Sequence, residues 1–411
     1  MRLAPIFGRL CQCWYLHRET DMRIALVSPL MEAVPPKAYG GTERVVASLC
    51  ERLSALGHRV TVFANAESRV TGELIVCRDR SLLTDERLTQ GVADHILMLD
   101  RVLKMAARFD VLHFHTEFLH FPMFEDIAAK TVTTCHSRLD HVGLSRFFRR
   151  YRKFPLVSIS DAQRRPLPHA NWIATIPHGY PRDLFRRVPN GADTGDGYLA
   201  FLGRISAEKG VDTAIKIARR SKSRLKIAAR INSFDRPYWE QVIKPQVDGK
   251  QIEYVGEIGD AEKTAFLNGA RALLFPIRWP EPFGLVMIEA MACGTPVIAC
   301  PCGAVPEVIE DGVTGRIVET VDDAVAAVAD IAHLDRAQIR RRFEDRFSSD
   351  TMAEAYLDVY RHLLETRPGV APGEAVRRRL AEGDATGRRP TRLPPAFPSA
   401  SPGRSFPKER T

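Results

Sequence analysis

One rhythm constrains this chain more than anything else: short, continuous apolar runs alternate with amphipathic helical spacings, stop, and then start again. In the first half the runs Arg23–Ser28, Val60–Ala64, Val111–His115, Thr131–His136, Leu156–Ser160 and Trp172–Ile176 read as strands. Apolar character on both sides of a strand suits a parallel sheet covered by helices on both faces. Between the first two runs, Thr42 is a candidate N-cap, Val45, Leu49, Leu53 and Leu56 share one helical face, and Gly57 ends the segment. Pro181 to Gly197 then breaks the pattern with Pro, Gly, Asn and Asp. The alternation resumes with strand Tyr198–Leu202, a helix from about Gly210, strands Leu225–Ala229 and Ile252–Val255, and helix Asp260–Ala270. Strand Ala272–Pro276, a helix near Leu285–Cys293 and strand Val297–Ala299 follow, with final helices over roughly Ala324–Phe347 and Thr351–Glu365. This predicts an α/β protein of two doubly wound domains facing a cleft, since ligands of such sheets bind at the carboxyl ends of the strands. The expected division is 1–21 as an extension preceding a start at Met22, 22–180 as the first domain, 181–197 as linker, 198–347 as the second domain, 348–366 as a terminal helix packing back on the first domain, and 367–411 as a disordered tail.

Charge argues against a nucleic-acid enzyme. The chain of 411 residues carries a formal +9, but Arg367 to Thr411 alone holds ten basic and four acidic residues among eight prolines. The body is nearly neutral, and a basic Pro-rich tail cannot bury enough apolar surface to fold. No run approaches the roughly 18 apolar residues of a membrane span. The eight cysteines show no disulfide framework and read as small core residues of a cytoplasmic protein. In Arg146–Phe154 five cations mix with four aromatics. That segment reads either as a solvated helix end or as a peripheral contact with an anionic membrane or a charged acceptor.

The chemistry concentrates in Pro280-Glu281-Pro282-Phe283-Gly284-Leu285-Val286-Met287-Ile288-Glu289. Pro282 keeps Glu281 in a loop, and Gly284 allows close backbone approach to a ligand. The helix opening near Leu285 offers free N–H groups to a phosphate. Glu281 and Glu289 would flank that site and accept hydrogen bonds from sugar hydroxyls. A second segment, Phe201-Leu202-Gly203-Arg204-Ile205-Ser206-Ala207-Glu208-Lys209-Gly210, sets Arg204 and Lys209 after a strand. Two cations there can clamp a diphosphate and offset charge on a departing one.

Together these segments resemble glycosyltransferase family 4, retaining nucleotide-sugar-dependent transferases of the GT-B fold, over about 22–360. The resemblance implies that Glu281 contacts donor-sugar hydroxyls, Glu289 the ribose, and Arg204 and Lys209 the diphosphate. It implies that backbone groups at Phe283, Gly284, Leu285 and Val286 contact sugar and phosphates. It places the Gly40-Gly41 loop near the donor phosphate and acceptor, and His136 beside the transferred sugar. No cofactor is expected beyond a nucleotide diphosphate-sugar co-substrate, UDP-sugar first, with GDP or ADP as alternatives. The acceptor class is a glycan, a lipid or a small molecule, in surface polysaccharide or glycolipid assembly.

Other readings were weighed on the residues. Tyr39-Gly40-Gly41-Thr42-Glu43 is neither a dinucleotide fingerprint nor a P-loop. His113 and His115 share a strand face, but third and fourth metal ligands lack suitable spacing, so no metal is expected. One of the two is expected to be a core residue. Asp161, His178 and Gly179 read as structural first. A nucleotide-sugar 2-epimerase and a catalytically inactive nucleotide-sugar-binding protein are the alternatives to a transferase.

Overall fold

The computed structural model describes residues 21–37, 40–85, 91–188 and 197–366. The greater part of the expected extension, residues 189–196 of the expected linker, and the basic tail from 367 lie outside the described residues, as does Tyr39.

The first sheet has seven parallel strands in the order β3-β2-β1-β4-β5-β6-β7. These are β1 Arg23–Val27, β2 Arg59–Asn65, β3 Glu73–Arg78, β4 Val111–Phe114, β5 Thr131–Thr134, β6 Leu156–Ser158 and β7 Trp172–Thr175. The second has six, in the order β10-β9-β8-β11-β12-β13, from β8 Tyr198–Arg204, β9 Leu225–Arg230, β10 Ile252–Gly256, β11 Ala270–Phe275, β12 Val297–Ala299 and β13 Gly315–Ile317. β3 and β13 were not anticipated. β3 carries the short apolar run Leu74–Cys77 but is only half-buried at the sheet edge, and β13 spans three residues.

Strand order explains where a ligand can sit. In the first sheet β1 lies between β2 and β4, and in the second β8 lies between β9 and β11. At each central strand the connections leave in opposite directions, which opens a crevice above the carboxyl ends. Helix α1 (Gly41–Ala55) follows β1, and its apolar stripe of Val45, Val46, Leu49 and Leu53 is fully buried. Thr42 does not cap it. The helix starts two residues earlier, at Gly41 behind Gly40, whose φ of 149° and contact with Pro36 (2.6 Å from an added Cβ) exclude a side chain. Helix α2 (Val92–Met105) covers the other face.

The second sheet is covered by α3 (Val211–Arg220), α4 (Asp260–Asn268), α5 (Leu285–Ala292) and α6 (Val321–Asp330). The single helical stretch expected over 324–347 is two helices, α6 and α7 (Arg336–Arg346). Leu334 is extended, and the Asp335 carboxylate accepts from the Ala337 N–H, so a new cap interrupts the run. The last helix, α8 (Ser349–Thr366), packs on the first sheet. Met352, Ala353, Tyr356, Leu357 and Tyr360 join a core with Leu26, Val45, Val111 and Val132. Tyr360 Oη lies 2.8 Å from His113 Nδ1, and Tyr356 Oη lies 2.8 Å from Thr134 Oγ1. The aromatics of 146–154 are also core. Phe154 stacks on Phe121 at 4.1 Å and Phe148 is buried, while the cations stay exposed. Mixed spacing there therefore reflects one inward and one outward face, not an amphipathic aromatic surface. Cys50, Cys77, Cys135, Cys293, Cys300 and Cys302 are free thiols, buried or half-buried. Among the described residues no helix is long and apolar enough to cross a membrane.

Two stability predictions follow from this packing. Tyr356→Ala, which empties a fully buried site, should cost about 3–5 kcal/mol. Tyr356→Phe should cost about 1 kcal/mol, because it removes only the bond to Thr134. Denaturant midpoints measure both, and equal losses would refute the packing argument.

Acid sensitivity is the second. Burial holds His113 down at about 3 and keeps His115, His120 and His178 well below the ordinary histidine range. An unfolded chain protonates these groups near pH 6.5, so between there and about pH 3 it binds more protons than the fold does. Stability is complete above that window and declines through it on acidification, by about 1.4 kcal/mol per pH unit for each neutral histidine. Glu43, pushed up to about 7 by burial, opposes this between about pH 4.5 and 7, as do Glu32, Glu117 and Glu307, which burial also raises, while His136, held down at about 3, adds a fifth histidine. Melting temperature should therefore fall from pH 7 to pH 5, and a flat profile would contradict the burial of the cluster.

Candidate active site

Both crevices open on one cleft of about 700 Å³. The residues that the resemblance assigns to substrate line it: Gly40, Gly41 and His136 from the first sheet, and Arg204, Lys209, Glu281, Phe283, Gly284, Leu285, Val286 and Glu289 from the second, whereas His113, Asp161 and Gly179 do not. Leu285 packs into the cores of both sheets, and an added Cβ on Gly41 would stand 3.0 Å from its Cδ1. Gly41 therefore permits a close approach of α1 to the start of α5.

On the second sheet, β8 ends at Arg204 and β11 leads into the loop carrying Glu281. Lys209 Nζ lies 2.6 Å from Glu281 Oε2, and Trp279 Nε1 donates to the same oxygen at 2.7 Å. Lys209 also sits 4.8 Å from the Trp279 ring centroid. Arg204 pairs with Glu208 and approaches Asp235 at 3.4 Å. Gly284 caps α5 with a φ of 88°, a left-handed conformation that leaves the first turn of the helix open to the cleft. Glu289, one turn inside, is 2% exposed. Its Oε1 accepts from Lys263 at 3.0 Å and from Tyr180 at 3.4 Å, while Oε2 is buried without a hydrogen-bond partner among the described residues. That oxygen is available to a ligand hydroxyl.

On the first sheet, the backbone N–H groups of His136 and Ser137 both donate to Glu117 Oε1 at 2.9 Å, which fixes the loop after β5. His136 Nε2 lies 2.9 Å from His115 Nδ1, and the His136 ring stacks on His178 at 5.1 Å. Burial lowers His136 to about 3, so the ring is neutral at physiological pH. His113 is the core histidine expected of the β4 pair, bonded at both nitrogens to Tyr360 and Thr134. His115 belongs to the site.

The cleft is closed by contacts between the sheets. Arg44 of α1 pairs with Asp260 at the start of α4, and Arg230 with Glu32 at 3.3 Å. Ser160 Oγ donates to the Pro282 carbonyl at 2.7 Å, and Glu307 accepts the N–H groups of Asp161 and Ala162, each at 2.7 Å.

Reading by sequence placed His178 among structural residues, yet it lines the cleft and meets Phe283 at 5.0 Å. Glu43, Glu117, Arg138, Lys263 and Trp279 also line it and were not singled out. Trp279 stood two residues before Glu281 and could have been noticed. The others meet the site only through the fold. Gly179 is structural: an added Cβ would stand 2.3 Å from the Ser348 carbonyl oxygen. Among the described residues no group of three or more His, Cys, Asp or Glu side chains could hold a metal ion.

Two family models match in succession, one described as Glycosyltransferase Family 4 over residues 39–196 and one as Glycosyl transferases group 1 over residues 184–346. The O-antigen chain mannosyltransferase C of Escherichia coli is 24% identical, across 81% of this chain and 97% of its own length. The phosphatidyl-myo-inositol mannosyltransferase of Mycobacterium leprae is 29% identical, across 78% and 90%. Among solved structures, the sucrose-phosphate synthase of Thermosynechococcus elongatus superposes with a TM-score of 0.69 at 20% identity, covering 84% of this chain and all of that one. The Anabaena protein HepE, solved with UDP and glucose, gives 0.66 at 16% identity, covering 83% and 100%. With the paired parallel sheets and the cleft between them, these matches place the chain in glycosyltransferase family 4, with the GT-B fold.

Proposed function

We propose that the chain transfers a hexose from a nucleoside diphosphate-sugar to an acceptor hydroxyl with retention at the anomeric carbon. The observation that carries this is the convergence, in one cleft, of Arg204, Lys209, the open first turn of α5 and the two carboxylates Glu281 and Glu289. The cations and the helix N-terminus offset charge on the leaving diphosphate. Glu281 orients sugar hydroxyls, Glu289 takes a ribose hydroxyl on its unpartnered oxygen, and His136 meets the sugar from the facing sheet. Protein cations fill the role that a metal ion plays in other phosphate sites.

Retention without a covalent intermediate fits the way the acids are held. Glu281 is tied to Lys209 and Trp279, Glu289 to Lys263, Glu32 to Arg230, and Glu117 to two backbone N–H groups. Glu43 accepts the Glu32 N–H, and its raised pKa keeps it partly protonated near neutrality. Carboxylates so engaged are hydrogen-bond acceptors and poor nucleophiles, which favours attack by the acceptor on the face the diphosphate leaves. A UDP-sugar is the first donor to test, because a neighbour of the same fold has been solved with UDP. The acceptor is a glycan, lipid or small molecule of surface polysaccharide or glycolipid assembly, in keeping with the O-antigen and phosphatidylinositol relatives. The exposed cations of 146–153 are where an anionic membrane surface would be met.

Thermal shifts with UDP, GDP and ADP test the donor site. One nucleotide at about 100 times its Kd should stabilise the chain by roughly 2.7 kcal/mol. Arg204→Ala and Lys209→Ala should abolish the shift. No shift with any nucleotide at millimolar levels would remove the donor assignment.

His136→Ala should retain the nucleotide shift and lose about 10²–10³ in kcat, the size of effect seen when one transition-state hydrogen bond is deleted. Unchanged turnover would remove His136 from the reacting region.

A further inference from the structure

The bond between His115 and His136 fixes where both protons lie. Two neutral imidazoles joined by one N···N contact must share one proton, one ring donating and the other accepting. His115 is 1% exposed, and its Nε2 is buried without a hydrogen-bond partner among the described residues. A proton on that Nε2 would be a buried donor with no acceptor, a costlier defect than an unpaired lone pair. The proton therefore belongs on His115 Nδ1, 2.9 Å from His136 Nε2. His136 Nε2 then accepts, and the proton of His136 must reside on its Nδ1. No hydrogen bond engages that Nδ1 among the described residues, and the ring lines the cleft.

The support behind His115 is rigid. Its backbone N–H donates to the Val27 carbonyl at 2.9 Å, and its ring packs on His113 at 4.1 Å between centroids. His113 is itself pinned by Tyr360 and Thr134, so the last helix and β5 brace the pair.

We infer that His115 is a positioning residue that sets the tautomer of His136, presenting His136 Nδ1–H to the cleft as a fixed hydrogen-bond donor and withholding the ring from service as a base. This rests on the glycosyl-transfer reading for its consequence: the donor meets an oxygen of the bound sugar or acceptor, and the acceptor's proton leaves by another route, to the departing phosphate.

The tautomer can be read directly. The full chain, labelled with ¹⁵N-histidine, is measured by long-range ¹H–¹⁵N correlation at near-neutral pH, with His136 assigned through His136→Gln. The expected result is the Nδ1–H form for both His136 and His115. An Nε2–H form for His136 overturns the inference without any variant or substrate. Kinetics give the second arm, with UDP-glucose and GDP-mannose as donors and turnover followed as donor hydrolysis or transfer. His115→Leu should lower kcat by about 10- to 100-fold, as loss of an orienting partner does, with the donor KM within about threefold. His115→Asn, whose amide nitrogen can replace Nδ1–H, should recover most of that loss. A Leu variant as fast as the parent, or an Asn variant as slow as Leu, overturns the inference. If neither donor binds nor reacts, the transfer reading fails, and the tautomer is still decided by the spectra.

Discussion

Everything in this molecule follows from the reversal of strand order at β1 and at β8. A parallel sheet points all its strand ends one way, and a reversal parts the flanking connections at one place only. The carboxyl ends at both reversals open on the same space, so one cleft receives the loop after β1, the ends of β4 and β5, the end of β8 and the loop after β11. Residues separated by 145 positions, such as His136 and Glu281, share that cleft because of topology alone.

The cleft is charged yet balanced. Arg204, Lys209, Lys263, Arg230 and Arg44 each face an acid. Such pairing holds long cationic side chains in place before a ligand arrives, which lowers the ordering cost of binding. Glu208 on Arg204 and Glu281 on Lys209 are thus the pairs that an anion entering the cleft would have to displace or share.

Much of this was legible in the sequence. Apolar runs marked the central strands, because central parallel strands are buried on both faces. At two edges the signal was weaker: β13 spans three residues, and the run Leu74–Cys77 of β3 is short and only half-buried. The part of the cleft on the second sheet was legible because Glu281, Gly284 and Glu289 lie on one continuous loop and helix, and Arg204 and Lys209 on another. The side on the first sheet was read only in part. Glu117 acts from a loop after β4 on backbone groups of the loop after β5, and Lys263 reaches Glu289 from a different helix. Such partners are set by packing between elements, and no local pattern encodes them. The place of His178 in the cleft was hidden for the same reason: its neighbours His136 and Phe283 come from opposite sheets.

The bond from Ser160 to the Pro282 carbonyl has a mechanical meaning. It ties the first sheet to the peptide immediately beyond Glu281. Glu307 reinforces the tie by holding the helix that starts at Asp161. Parting the two sheets must therefore break a bond to the loop that carries Glu281, while the Glu281 carboxylate stays tied to Lys209 and Trp279 of the second sheet. On the proposed reaction, the nucleotide half of the site would be carried by the second sheet alone, and closure would add the residues of the first.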